Sequence, residues 1–439
     1  MVFKKYVAII LSALLILALS GCDSFMRGAD ELLLAPMLEG DMYPVQQALK
    51  DAVGDKITLK YPSEGEYRSA FVMKDIDGNG TEEAFAFYST TEDSAVTMHI
   101  NVIEKTEDKW ESRGDLSLIG SGVESVAFAD LEGDGKPEII VGWYIFGTAE
   151  KQVGIYSYNG KLTGRAVEPY TNFAYADLTG DKVDDLIIIY LNSSEKQAAA
   201  KLISLSDKGI TETQSVPLDG GVSAYSKPVL SKLSSGTPAL YIDAAKGNGT
   251  ITEIIWYEDG ALHGIYDENA PESLVTYRND TTASRDFDGN GVIDIPVTEL
   301  LKSTEKMAET DKVYYTNWSE YDGKKVKINA VTFMNYPDSY SLIVPKNLRQ
   351  KMLVLRKVES RSRIFYSFDP DKELVGGELF KIVTVSAAEY NAELYEKSGY
   401  ILLDKTDTSV YLARVVPENE FGLTNQDIKD MFVLINQSI

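Results

Sequence analysis

The sequence has very few of the side chains on which most catalytic sites depend. Its 439 residues include one cysteine, Cys22, and two histidines, His99 and His263. Disulfides and Cys/His zinc sites are excluded by this inventory. A Ser/His or Cys/His catalytic pair would need one of the two histidines as its base, and both lie in patterns typical of strands. We therefore expect a protein that is not an enzyme.

Basic residues are also scarce, with 43 Lys and Arg against 67 Asp and Glu and a formal net charge of −24. Such a chain would be repelled by a phosphate backbone, so no nucleic-acid partner is expected. One basic run opposes this trend, and it is either a solvated strand face or a surface for an anionic partner. It consists of Lys346, Arg349, Lys351, Arg356, Lys357, Arg361 and Arg363.

Long apolar runs are confined to the N-terminus, where Lys4 and Lys5 precede an apolar stretch from Tyr6 to Leu19. This is typical of an export signal and too short for a spanning helix. The following Leu-Ser-Gly-Cys22 resembles a bacterial lipobox, which implies lipidation of Cys22 and a location outside the cytoplasm, anchored to the membrane. Residues 1–22 are thus expected to be a lipoprotein signal peptide, and 23–56 a tether with a short helix.

What the chain has in abundance is loops that alternate acidic residues with glycine and lead into apolar strands. They are Asp75–Glu83, Asp130–Glu138, Asp177–Asp185 and Asp286–Asp294. Oxygen side chains at positions one, three, five and nine can surround a hard cation, and the glycines permit positive φ. Ca²⁺ suits such loops better than Mg²⁺, because it accepts six to eight oxygens in loose geometry.

The expected ligands differ in completeness between the loops. Three loops offer full sets: Asp75, Asp77, Asn79, the Thr81 carbonyl and Glu83; Asp130, Glu132, Asp134 and Glu138; and Asp286, Asp288, Asn290 and Asp294. The third loop keeps Asp177, Asp181 and Asp185 but has Thr179 and Lys182 in place of an acid and a glycine, so it is a weaker fourth candidate. A degenerate fifth copy, Lys232–Ala239, has lost its acids, and Lys232 is expected to substitute its ammonium group for the ion.

An EF-hand would need a bidentate Glu at position twelve and flanking helices. Position twelve is instead apolar, at Ala86, Val141, Ile188 and Val297, inside short β-branched runs that predict buried strands. The EF-hand reading is therefore excluded. An acidic turn that binds no metal is the remaining alternative.

The loops recur about every fifty residues, with one hairpin turn between successive copies, such as Asn159-Gly160 and Asp259-Gly260. Each unit predicts one four-stranded propeller blade. The loops resemble those of the FG-GAP or VCBS repeats found in the integrin α-subunit head. This resemblance covers residues 57–336 and implies a β-propeller with calcium held at one edge. Five repeats are recognisable, which leaves five to seven blades open.

Residues 337–439 contain no acidic loop and predict a small α+β domain, with a closing helix from Thr424 through Ile435. The whole chain is therefore expected to be mainly β. The expected function is noncatalytic binding of a protein or glycan partner at the cell envelope. A carbohydrate-active hydrolase or lyase, and a structural envelope or spore protein, are the alternatives.

Overall fold

The structure is a computed structural model that describes residues 42–91, 97–107, 109–145, 150–206, 209–270 and 275–435. The described part is built mainly of antiparallel β-sheets, as the sequence predicts. The export signal, Cys22 and most of the expected tether lie outside the described residues.

Six sheets follow one another along the described chain. The first contains β1 (Ile57–Leu59), β2 (Phe71–Lys74), β3 (Glu83–Thr90), β4 (Thr97–Thr106) and β5 (Lys109–Ile119). The second contains β6 (Gly122–Ala129), β7 (Glu138–Tyr144), β8 (Lys151–Tyr158) and β9 (Leu162–Pro169), and the third β10 (Asn172–Ala176), β11 (Asp185–Asn192), β12 (Gln197–Ser206) and β13 (Gly209–Pro217).

The remaining three sheets account for the second half of the described chain. The fourth contains β14 (Ala224–Tyr225), β15 (Val229–Lys232), β16 (Pro238–Lys246), β17 (Gly249–Glu258) and β18 (Ala261–Gly264). The fifth contains β19 (Ile295–Leu300), β20 (Tyr314–Tyr321), β21 (Val326–Asn335), β22 (Tyr340–Ile343) and, from the far end of the chain, β28 (Phe432–Leu434). The sixth contains β23 (Met352–Lys357), β24 (Ser362–Asp369), β25 (Leu374–Ser386), β26 (Ile401–Lys405) and β27 (Ser409–Val415).

Consecutive sheets share hydrophobic cores. Separate buried clusters join the first sheet to the second, the second to the third, the third to the fourth, the fourth to the fifth and the fifth to the sixth. The other face of the first sheet is covered by α1 (Tyr43–Val53), which begins with Pro44 at its first turn and buries Val45, Ala48 and Leu49. The spacing of these three residues places them on one helical face.

The C-terminal region is joined to the fifth sheet. Strand β22 pairs with β21 on one side and with β28 on the other, so the expected boundary between residues 336 and 337 falls inside one sheet. Two further helices are α2 (Ala392–Lys397) and α3 (Asn425–Met431). Thr424 caps α3 in a capping box, as its position predicts, but the expected extension to Ile435 is wrong. Residues from Phe432 onward are extended because they pair with β22.

Candidate metal centre

The four acidic loops share one pattern of backbone hydrogen bonds. In the first loop, Asp75 accepts from the backbone N–H groups of Gly78 and Gly80 at 2.9 and 3.0 Å. The equivalent pairs are Gly133 and Gly135 on Asp130, Gly180 and Lys182 on Asp177, and Gly289 and Gly291 on Asp286. The first carboxylate therefore organises the turn before any ligand is considered.

The ninth residue of each loop begins the strand that follows or directly precedes it. Its carboxylate turns back and accepts a hydrogen bond from the backbone N–H of the second loop residue. The four pairs, all between 2.8 and 3.0 Å, are Glu83 with Ile76, Glu138 with Leu131, Asp185 with Leu178, and Asp294 with Phe287. The strand register thus fixes the ninth carboxylate under the loop.

In the first loop, three carboxylates converge. Single oxygens of Asp75, Asp77 and Glu83 lie within 4.8 Å of one another. Glu83 is fully buried, and its Oε1 has no hydrogen-bond partner in the structure. A buried carboxylate oxygen without a partner is costly, and a cation at the convergence point would satisfy it.

The fourth loop repeats this arrangement with different residues. Oxygens of Asp286, Asp288 and Asp294 also lie within 4.8 Å of one another. Asp294 is fully buried, and its Oδ1 lacks a partner. Two loops that are far apart in sequence therefore each present three converging carboxylates, one of which is buried with an unsatisfied oxygen.

The amide ligands of these two loops are held differently. Asn79 donates through Nδ2 to Asp77 at 2.9 Å and accepts from the Thr81 backbone N–H at 2.7 Å. Asn290 donates instead to Glu320 on β20, at 2.7 Å. Glu320 is buried and was missed by sequence reasoning, since nothing in the loop motif points to a strand thirty residues away.

The second loop does not bring its expected ligands together in the same way. Glu132 forms an ion pair with Arg165 on β9, with an Nη2 to Oε1 distance of 2.7 Å. Asp134 accepts from the backbone N–H of Lys136, and Glu138 is buried. In the described part of the chain, the close three-acid groups are those of the first and fourth loops.

The third loop keeps the same hydrogen bonds but offers fewer oxygen ligands for a metal ion. Asp181 accepts from the Val183 backbone N–H at 2.9 Å, and Asp185 accepts from Thr179 as well as Leu178. Lys182 takes the positive φ of 74° that glycines adopt at the equivalent positions of the other loops. The backbone geometry of the loop is therefore unchanged although lysine replaces glycine at this position.

Neighbouring loops also touch one another. The second and third loops exchange hydrogen bonds between Asp130 and Asp184, at 3.1 and 3.3 Å. The degenerate copy lies against the fourth loop, since a Cβ placed on Gly291 would be 3.7 Å from Lys232 Nζ. Ser231 donates to the Gly291 carbonyl there.

Burial makes the ninth carboxylates unusually basic. The pKa of Glu138 is raised to about 7 and that of Asp294 to about 6, chiefly by burial and also by the neighbouring acidic charges. The pKa values of Glu83 and Asp185 are raised for the same first reason. A bound divalent cation would offset this cost, because it supplies the opposite charge that these loops lack.

The two histidines lie in strands, as their patterns predict. His99 on β4 stacks on Tyr88 with ring centroids 4.7 Å apart, and its Nδ1 lies 3.0 Å from Asp115. His263 on β18 stacks on Trp256. Within the described residues, no helix has the length and apolarity needed to cross a membrane.

Among solved structures, the chain has distant likenesses such as the three below. No family model and no curated protein matches the chain. A rhamnogalacturonan lyase of Bacillus licheniformis is 13% identical, with a TM-score of 0.31, over 54% of this chain and 59% of the lyase. A periplasmic gluconolactonase of Pseudomonas aeruginosa is 10% identical, with a TM-score of 0.27, over 73% and 88% of the two chains. Saccharomyces cerevisiae Sqt1 is 11% identical, with a TM-score of 0.29, over 78% and 86%.

Proposed function

We propose that this protein is a calcium-stabilised, noncatalytic binding protein, anchored through lipidated Cys22 at the outer side of the cell membrane. Its partner is a protein or glycan of the cell envelope. The N-terminal sequence supports the location, since the lipobox-like segment ends at Cys22. The scarcity of histidine and cysteine, with two and one residues, supports a binding role over nucleophilic catalysis by a Ser/His or Cys/His pair.

One observation carries the calcium part of the proposal. Glu83 and Asp294 are fully buried, and each leaves a carboxylate oxygen without a partner inside a group of three acids. Charge burial of this kind is unfavourable unless a cation or proton compensates it. All-oxygen donors of mixed carboxylate and amide type match Ca²⁺, which tolerates irregular coordination. The second and third loops are proposed as weaker sites.

We further propose that the six sheets are blades of a β-propeller. Consecutive sheets pack face to face, and the first three acidic loops each join two adjacent, paired strands: β2 to β3, β6 to β7 and β10 to β11. The calcium loops would then fasten one edge of the ring. An experimental structure with the first and sixth sheets at opposite ends of an open row would exclude this arrangement.

Thermal melting of the chain without residues 1–22 tests the calcium proposal. Each site is expected to stabilise the folded state by RT ln(1 + [Ca²⁺]/Kd), about 2.7 kcal/mol at a hundredfold excess over Kd. The midpoint should rise in millimolar Ca²⁺ and return on adding a chelator. Glu83→Gln and Asp294→Asn should each reduce this rise, because a neutral amide is a weaker ligand.

Without metal, the same two variants are expected to have the opposite effect on stability. Each removes a buried carboxylate while keeping an acceptor for the backbone N–H, so the chelated variant should be at least as stable as the chelated parent. Glu359→Gln, which alters an exposed acid outside the loops, is the matched control and should leave the calcium response unchanged. A midpoint that does not respond to Ca²⁺ in the parent chain would refute the proposal.

A further inference from the structure

A cleft lies between the fifth and sixth sheets, and no residue of the four acidic loops lines it. Its volume is about 730 Å³, within the range of roughly 300–1,000 Å³ typical of small-molecule sites. Phe333 and Val354 form an apolar floor and are almost completely buried. Tyr314 and Tyr336 add aromatic surface to the wall.

Two arginines face each other on one side of this cleft. Arg356 on β23 and Arg363 on β24 are direct cross-strand partners, and both line the cavity. Directly opposed residues of antiparallel strands have Cβ atoms about 5 Å apart on the same face, and like charges in such pairs are destabilising. In a chain with a net charge of −24, a pair of opposed cations calls for a compensating anion.

No acid of the described chain forms an ion pair with these two arginines, although acids lie nearby. Arg363 donates to the neutral amide oxygen of Asn335 at 3.0 Å. The nearby Asp338 is already engaged by Arg361, at 2.8 Å, and by the Asn335 amide. Within the described residues, neither Arg356 nor Arg363 forms an ion pair with an acid.

The electrostatics of Arg363 agree with this geometry. Burial lowers the pKa of its guanidinium, and the charge of Arg356 lowers it further, while Tyr340 and Asp338 act in the opposite direction. Two other cations, Lys312 and Lys357, and two acids, Asp280 and Asp311, line the remainder of the cleft. Of these, Lys312 is paired with Glu309, and Asp280 accepts from the Thr282 backbone N–H at 2.9 Å.

We propose that this cleft binds a small organic anion, whose carboxylate or phosphate group is held between Arg356 and Arg363. Two guanidinium forks can present paired donors to such a group, which gives stronger and more directional bonds than ammonium groups would. The body of the ligand lies against Tyr314 and Tyr336 over the apolar floor. The inference rests on the proposed binding function and supplies its ligand class, but it does not depend on the calcium loops.

Isothermal titration of the chain without residues 1–22 tests the site, with inorganic phosphate, glucuronate and glucose as probes at constant ionic strength. Glucuronate and glucose share a sugar ring and differ in charge, so binding of glucuronate with none of glucose is expected. Phosphatidylglycerol and phosphatidylcholine vesicles, assayed by co-sedimentation, distinguish a lipid phosphate from a free anion. Binding of soluble anions without vesicle binding is the expected result.

Matched variants distinguish binding by the cleft arginines from a general effect of net charge on anion binding. Arg356→Gln and Arg363→Gln should each weaken anion binding about tenfold or more, since each removes a charge-assisted donor pair. Lys346→Gln causes the same change in net charge at an exposed residue of the same basic run, outside the cleft, and should change affinity by less than about twofold. Arg363→Lys should recover little, because an ammonium group lacks the planar fork.

Three results would overturn the proposal: no binding of phosphate or glucuronate, equal binding of glucose, or equal losses in Lys346→Gln and Arg356→Gln. Arg356 is exposed, so its variant remains informative if substitution of Arg363 impairs folding. Arg356→Gln should also melt no lower than the parent in the absence of anions, since it removes a like-charge contact. Its calcium response should be unchanged, which separates failure of this site from failure of the metal loops.

Discussion

At the scale of single residues, the sixth position of the acidic loops shows how backbone conformation restricts sequence. Gly80, Gly135 and Gly291 have φ between 81° and 86°, and Lys182 has a φ of 74°. A residue with a Cβ is strained there by about 1–2 kcal/mol. The third loop therefore tolerates a substitution that the other three avoid.

Lys182→Gly should consequently stabilise the protein. Relief of the strain outweighs the greater entropy of glycine in the unfolded chain, and we expect a gain of about 1 kcal/mol in the free energy of unfolding. Urea denaturation of both proteins in chelator measures this gain. Lys136→Gly is the control, because Lys136 lies in the second loop without a positive φ, and it should not stabilise. A loss of stability in Lys182→Gly would contradict the strain argument.

The candidate ligands could be found from sequence because each loop is local. Nine residues contain both the turn and the carboxylates, so spacing alone predicts that Asp75 and Glu83 approach one another. The ion pair of Glu132 could not be found in this way. Its partner Arg165 lies on β9, 33 residues further along the chain, and only the folded second sheet brings the two together.

The burial of Glu253 on β17 makes the stability of the protein depend on pH. Glu253 is 1% exposed, and its Oε1 accepts the Asp219 backbone N–H at 2.8 Å. The pKa of Glu253 is raised to about 7, chiefly by burial; the charge of Asp219 acts in the same direction, whereas the Asp219 backbone N–H and the charge of Lys246 act against it. The folded state therefore holds a proton between about pH 4.5 and 7 that the unfolded state releases.

Because the native state binds this extra proton, Glu253 makes the free energy of unfolding fall as pH rises through that window and level off above about pH 7. The contribution is at most about 3 kcal/mol. Glu253→Gln should therefore be more stable than the parent at pH 8, and the difference should shrink towards pH 5. Melting both proteins from pH 5 to 8 in chelator checks this, since other titrating groups are common to both. A difference independent of pH would contradict it.

At the scale of elements, one buried arginine, Arg278, attaches the residues before the fourth acidic loop to the fourth sheet. Arg278 is fully buried, and its Nη2 lies 2.8 Å from Asp243 on β16. Asp243 also accepts from the Ser284 backbone N–H and from the Thr252 hydroxyl, each at 2.8 Å. This network attaches the segment before the fourth acidic loop to the fourth sheet.

Arg278→Ala should therefore cost about 3–5 kcal/mol of stability, because it leaves the Asp243 carboxylate without its cation in a buried network. Arg278→Lys should recover only part of this loss, since an ammonium group cannot bridge several acceptors in the plane of a guanidinium. Chemical denaturation measures both variants. The control is Arg414→Ala, whose ion pair with Glu378 is partly exposed and should cost about 1 kcal/mol or less. Equal costs at the two positions would contradict the role of Arg278.

Element type was largely predictable, whereas element partners were not. The hairpin turns at Asn159-Gly160 and Asp259-Gly260 lie between paired strands, as expected from local sequence. The final helix begins after Thr424 as its capping box predicts, yet it ends at Met431 because Phe432–Leu434 pairs with β22, about ninety residues earlier. The hydrophobic periodicity of a sequence indicates which face of an element is apolar, but it does not indicate which strand edge is free to pair.

At the scale of the whole molecule, the two ends of the described chain complete sheets that would otherwise expose apolar surface. Strand β28 extends the fifth sheet, and α1 covers the free face of the first. Sequence reasoning assigns a short helix to the tether expected over residues 23–56. Its packing against Phe71, Ala84 and Tyr88 instead makes it part of the core.

If α1 is part of the core, shortening one of its buried side chains should lower stability as much as shortening a buried side chain inside a sheet. Leu49 is fully buried, so Leu49→Ala should lower the free energy of unfolding by about 2–5 kcal/mol through lost burial and the cavity left behind. Gln47→Ala, on the exposed face of the same helix, tests helix formation alone and should cost about 0.5 kcal/mol or less. Urea denaturation followed by tryptophan fluorescence measures both. Similar small effects at the two positions would mean that α1 is only a spacer ahead of the sheets, and that the first sheet is stable with this face uncovered.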